Sequence, residues 1–329
     1  MLSSEKKNDI GIVTSMRGLA SLMVFLFHLF CVTNNYFGSP YLTKLFYYGK
    51  FGVEIFFVIS GYVIVYSMIA GQYHLRHFKI FFLKRIIRIE PPYLAAILLI
   101  ILGIWIKRAF LIGEPIALPS IQQILYHIGY LIPFTHYDWL NIVFWTLAIE
   151  FQFYVIFSLI LRLFTGVLLI RTIAASALLL LAVFVSSEAI FFHHVPIFLL
   201  GIYLALYKHK IVSRKELISS AVALTIFIYL KLGWEISIFS CSSFLLIYHE
   251  PILRNNTLKF LGNISYSLYL CHTIVAFTIV NIAFKLPQTL PIRIGVFLIS
   301  FTATIVFSYI FYRFIELPAK IKASSFKYK

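Results

Sequence analysis

Two side chains in the first apolar run, Arg17 and His28, are of the types that hold an anion and move a proton, and they stand eleven residues apart. Eleven helical residues turn through about 1,100°, roughly 20° past three full turns, and rise roughly 16 Å. Both side chains therefore share one helical face, with Arg17 at one membrane surface and His28 about halfway across a bilayer core. Such a stripe suits an anionic ligand held at the surface with its far end presented to an imidazole. A snorkelling arginine and a buried histidine tied to a neighbouring helix would give the same spacing. A second pair, Arg85 and Arg88, is three residues apart on one helical face. Their planar guanidinium groups suit bidentate recognition of phosphate. Pro91 and Pro92 follow and are expected to end that helix.

Glu150 lies within Trp145-Thr146-Leu147-Ala148-Ile149-Glu150, near the middle of a later apolar run. In lipid a carboxylate there must be protonated, paired or hydrated. Pairing with His28 or Arg17 would orient an imidazole as a general base; a helix-to-helix tie is the structural alternative. Ser265, Tyr269 and His272 follow the spacing of one helical face. Their hydroxyls and imidazole could line a wet cavity or simply pack. Cys271 and His272 are adjacent and point about 100° apart, which disfavours a dyad. Glu54 falls near the outer end of its run, where it could face an external substrate. His193 and His194 are expected to be solvated at the outer interface, and Glu316, beside Arg313 and Pro318, to act as a cap or ion pair.

The elements that must position these groups are set by composition. Of 329 residues, 61% are apolar or aromatic and 12% are charged, with a formal net charge of +16. A soluble domain is nearer half apolar and a quarter charged. Apolar runs punctuated by interfacial residues predict spans at 17–36, 51–70, 93–112, 140–161, 166–187, 190–207, 216–232, 234–249, 263–284 and 291–312. Spans of about 20 residues each consume most of the chain, so the fold class is an all-α polytopic transmembrane bundle of about ten spans, one domain over 1–329 with no fused soluble domain.

With the N-terminus in the cytoplasm, roughly three-quarters of the Lys and Arg fall on the inner side, leaving Lys44, Lys50, Lys107, Arg108, Lys231, Lys285 and Arg293 outside. The basic excess is thus a topology signal with both termini cytoplasmic, and no nucleic-acid partner is required. The first run lacks a small-residue cleavage site and reads as a retained span. Residues 71–92 predict a basic amphipathic helix at the cytoplasmic face, and 113–139, with Gly113, Pro115, Pro119 and Pro133, an outer interfacial or re-entrant segment. Cys31, Cys241 and Cys271 lack metal or disulfide spacing, so no metal site is expected.

Taken in order, these motifs resemble the membrane-bound acyltransferase-3 family, multi-span proteins that O-acylate cell-surface carbohydrates. The matching pieces are Arg17-Gly18-Leu19-Ala20 through His28; Gly52-Val53-Glu54 through Phe56-Phe57-Val58-Ile59-Ser60-Gly61-Tyr62; and Arg85-x-x-Arg88-Ile89-x-Pro91-x-Tyr93. Then come Trp145-x-Leu147-x-x-Glu150-x-x-Phe153-Tyr154, Leu261-Gly262-x-x-Ser265-Tyr266-x-x-Tyr269-Leu270-x-His272 and Tyr312-Arg313-x-x-Glu316-x-Pro318. The departures are Lys84-Arg85 where two arginines are common, Thr146 where Ser is usual, and Glu54 where Asp is commoner.

The resemblance implies a bacterial inner-membrane O-acetyltransferase acting in polysaccharide modification. Acyl-CoA would be the cytoplasmic donor substrate, no cofactor would be tightly bound, and the acceptor would be a carbohydrate or glycolipid such as lipopolysaccharide or exopolysaccharide. It further implies that His28, Glu150 and Arg17 are catalytic, that Arg17, Arg85, Arg88 and Tyr93 bind the donor, and that Glu54, Ser60, Trp145, Ser265, Tyr269 and His272 meet the acceptor. Two rival readings use the same residues. A proton-coupled carrier of an anionic solute or lipid would use the intramembrane His and Glu as a relay, and a scaffold of a glycan-assembly machine would tolerate their loss.

Overall fold

In lipid the backbone must satisfy its own hydrogen bonds, and helices do so within one segment. The computed structural model describes residues 2–109, 117–250 and 255–326; these form α-helices and short helical turns, with no strand among the described residues. Each predicted apolar run is the body of one helix. They are α1 (Leu2–Phe27), α3 (Gly52–Ala70), α4 (Phe78–Ala109), α6 (Phe144–Thr165), α7 (Leu168–Phe184), α8 (Phe191–Lys208), α9 (Arg214–Leu232), α10 (Trp234–His249), α12 (Ser265–Ala283) and α13 (Leu290–Phe311). Short helices α2 (Pro40–Tyr47), α5 (Ile121–Ile128), α11 (Asn256–Asn263) and α14 (Leu317–Ser325) lie between or after them.

Among the described residues, seven helical stretches are long and apolar enough to cross a membrane, and Leu168–Phe184 is apolar but shorter. The remaining two differ for visible reasons: α9 carries Arg214, Lys215, Glu216 and Lys231 at its ends, and α10 has only 16 residues. The protein is an all-α polytopic bundle. Its lipid-facing side is plain on α4, where Leu94, Leu98, Leu102, Trp105 and Ile106 are exposed.

Two boundaries differ from expectation. The polar N-terminal residues are already helical, and the first helix winds into a π-helical turn over His28–Val32. More consequential, Pro91 and Pro92 do not end a separate surface helix: they lie inside α4, and the basic segment 78–92 and the third apolar run form one rod. The prolines leave the carbonyls of Ile87 and Arg88 without their usual donors. The helix continues because unwinding in lipid would orphan more backbone groups than two prolines do. It is also tied at this point from outside, where the Tyr266 hydroxyl donates to the Ile89 carbonyl at 3.0 Å. Of the 113–139 segment, residues 113–116 lie outside the described residues. The rest holds α5, a tight turn at Ile132–Phe134 and the buried His127 and Tyr130.

Close backbone crossings place the site-bearing helices. A Cβ on Gly18 would stand 2.3 Å from the Leu258 carbonyl, and one on Gly262 would stand 1.9 Å from that of Thr14. Only glycine lets α1 and α11 meet this closely, and Arg17 and Ser265 flank the crossing. In the same way Gly61 and Gly201 bring α3 against α8, which leaves the neighbouring Ser60 turned toward the interior.

Candidate functional site

Three neighbouring cavities share lining residues in turn. The outermost opens between α4, the end of α3 and α14; it is about 520 Å³ in volume and is lined by Ser67, Lys84, Arg85, Arg88, Lys320 and Ser324. No carboxylate lines it among the described residues. Arg85 and Arg88 also line a narrow throat with Arg17, Ser60, Glu150, Tyr154 and Glu316. Arg17, Ser60 and Glu150 in turn line an inner chamber closed by Phe56, Thr146, Ser265 and Tyr269. The result is a series from a broad basic vestibule to a small chamber bearing several hydroxyls, with cations along it.

The throat residues are held by contacts that run between helices. The Arg17 Nε donates to Ser265 Oγ at 3.2 Å, and Arg17 lies in the field of Arg88, Glu316 and Glu150. The Arg85 guanidinium rests over the Phe81 and Tyr154 rings and reaches Ser67 Oγ at 3.4 Å. Glu150 accepts from Ser60 Oγ at 3.0 Å and from the Tyr154 hydroxyl. Glu316 accepts from the backbone N–H of Ser267 at 3.0 Å and from its Oγ at 2.6 Å. It thereby caps the first turn of α12, where free N–H groups favour an anion, and that contact anchors the turn carrying Ser265 and Tyr266.

Beyond the chamber the face of α12 continues. Tyr269 shares a hydrogen bond with Thr146 Oγ1 at 2.7 Å and donates to the Val143 carbonyl at 3.2 Å. One turn on, His272 Nε2 stands 3.3 Å from His28 Nδ1. Arg17 and His28 thus do share a face, and both meet α12, seven residues apart on that helix. The two helices run in the same sense, and the length of the arginine side chain covers the difference in rise.

Several expectations are corrected. Glu150 hydrogen-bonds neither His28 nor Arg17; its Oε1 accepts from both Ser60 and Tyr154. His28 and His272 are buried one turn past the chamber and do not line it. Tyr93 does not face the vestibule. It is fully buried, stacked on Tyr130, with its hydroxyl at His127. Trp145 does not line the chamber; it packs behind it, against Phe57 and His194, while its neighbour Thr146 takes the inward position. Glu54 is 8% exposed and does not open outward; its Oε2 has no partner among the described residues. His194 is packed rather than solvated and reaches the Glu188 carbonyl at 2.9 Å.

Other residues escaped sequence reasoning. Lys320 reaches the vestibule from α14, and only the fold of the C-terminal turn reveals it. His127 is fully buried on α5: its Nε2 accepts the Leu140 N–H at 3.1 Å, so Nδ1 carries the proton and faces the Tyr93 oxygen at 3.2 Å. Burial holds its pKa down to about 4. Asn141 clamps α12 through Thr273 Oγ1 at 2.9 Å and the Leu270 carbonyl at 3.4 Å.

A family model described as an acyltransferase domain matches residues 11–313, nearly the whole chain. Searches of curated proteins and of solved structures give no match.

Proposed function

From the premise that this chain belongs to the acyltransferase-3 family and is a membrane acyltransferase, we propose that it carries an acyl group, acetyl by default, from cytoplasmic acyl-CoA to a hydroxyl of a cell-surface or lipid-linked glycan. The observation that carries this reading is the basic vestibule beside a throat of arginines and a small chamber that share lining residues with it in turn. The polyanionic nucleotide end of coenzyme A fits a cavity lined by Lys84, Arg85, Arg88 and Lys320. Its thin pantetheine arm fits the throat, which delivers the thioester toward Ser60, Thr146 and Tyr269. Guanidinium groups make the strong, directional contacts that phosphates require.

Arg17, Arg85 and Arg88 hold the donor. Glu150 balances their charge and keeps Ser60 and Tyr154 in place. His28, one turn past the chamber, takes the proton of the acceptor hydroxyl arriving from the outer half of the membrane. In this orientation the vestibule faces the cytoplasm of a bacterial cell and both termini lie on that side, in keeping with the Lys/Arg asymmetry.

Incubating the purified protein in vesicles with labelled acetyl-CoA and a cell-envelope glycan extract is expected to label the glycan. Uptake of a solute driven by a proton gradient, with no acyl-CoA turnover, would replace this reading with that of a carrier. Replacing Arg85→Ala together with Arg88→Ala is expected to weaken acetyl-CoA binding about 10- to 100-fold, the loss expected of charge-assisted contacts. An unchanged dissociation constant would remove the donor role from the vestibule.

A further inference from the structure

We infer that His272 is a positioning residue for His28: it accepts the His28 Nδ1–H, fixes the tautomer that leaves Nε2 basic, and shares the charge when Nε2 takes a proton. The inference rests on the proposed role of His28 as general base. It departs from the sequence expectation that His272 meets the acceptor. His272 is 1% exposed and enclosed by Phe25, Tyr269 and His28, so it acts through His28.

The proton positions follow from the acceptors. His28 Nδ1 is 2.8 Å from the Val24 carbonyl oxygen, and His272 Nδ1 is 3.1 Å from that of Leu268. A carbonyl can only accept, so both Nδ1 atoms carry hydrogen. In a neutral imidazole the other nitrogen is then a bare acceptor. His272 Nε2, 3.3 Å from His28 Nδ1, therefore accepts from the same N–H that already points to Val24. His28 Nε2 keeps its lone pair and has no hydrogen-bond partner among the described residues. The assignment is made from the hydrogen-bond network; the opposite tautomer of either ring would set a lone pair against a carbonyl.

The step balances. As the acceptor oxygen forms its bond to the thioester carbonyl carbon, its proton passes to His28 Nε2. The ring is then an imidazolium whose Nδ1–H is shared between Val24 and the neutral His272. When the C–S bond breaks, the leaving thiolate takes that proton back from Nε2, giving the ester and free thiol. The ring lies at the end of α1, where a π-helical turn begins, and packs beside His272 on α12 with ring centroids 5.0 Å apart.

The test compares His272→Phe, which keeps a ring but no acceptor, with His272→Gln, whose amide oxygen can accept from His28. Activity is read with labelled acetyl-CoA and the glycan extract. His272→Phe is expected to lower kcat about 10- to 100-fold with the KM for acetyl-CoA unchanged, and His272→Gln to restore most of it. Equal losses in both variants would mean a packing role and overturn the inference, as would full activity in His272→Phe. His28→Ala separates the two levels. If it stays active, the base reading itself fails; if it is dead while His272→Phe is normal, only this inference fails. A readout independent of activity guards against misfolding of the variants. In 15N-histidine-labelled wild-type protein, the signals lost in His28→Gln should report a protonated Nδ1 and a bare Nε2, and the reverse pattern would overturn the assignment.

Discussion

Glu150 is a single carboxylate that lines both the throat and the chamber and receives two hydroxyl donors. Removing only its charge differs from removing its oxygens. Glu150→Gln keeps an acceptor for Ser60 and Tyr154, so its melting temperature should stay within a few degrees of wild type while turnover of acetyl-CoA falls at least about tenfold. Glu150→Ala strands both hydroxyls and should lose a further 1–3 kcal/mol or so of stability, measured as a melting shift in detergent. A variant Gln enzyme with normal turnover would show that the charge is idle. At this scale the sequence revealed which residues are unusual in lipid, but not their partners. Arg17 and His28 were legible as one stripe because helical periodicity fixes their relative angle. That Glu150 turns to Ser60 and Tyr154, and His28 to His272, depends on how α3, α6 and α12 are arranged around α1, which no single helix encodes.

At the scale of elements, one histidine ties residues 121–141 to their neighbours. His127 holds the loop before α6 through the Leu140 N–H and holds α4 through Tyr93. With its pKa lowered to about 4 in the fold against an ordinary value of 6.5, the unfolded segment binds a proton more readily than the folded one. Stability contributed by the neutral ring is full above about pH 6.5 and declines as pH falls from there toward 4. Hydrogen exchange over 121–141 should therefore accelerate between pH 6.5 and 4.5 beyond the intrinsic trend, and His127→Gln should flatten that dependence. The ten apolar runs were legible as helices because hydropathy marks them, and seven helical stretches among the described residues also have the length and composition to cross a membrane. The continuity of α4 was not, because the cost of two prolines is local whereas the gain from staying helical in lipid belongs to the whole rod.

At the scale of the molecule, the orientation proposed for the vestibule fixes what each side can reach. In a protein whose Cys31, Cys241 and Cys271 are replaced, a membrane-impermeant maleimide added to intact cells should label His136→Cys at once and Lys322→Cys only after permeabilisation; both positions are exposed. Labelling in the opposite order would invert the path. Within that frame α12 touches almost every functional part. Through successive residues it meets Arg17, Glu316, Thr146, His28 and Asn141. Substitutions at these five places, though scattered from one end of the sequence to the other, all report to the same rod, and their effects should combine non-additively. Variation at any of them is therefore tolerated according to what the others are, which makes the tail of the chain as epistatically bound to its first helix as residues that are neighbours in sequence.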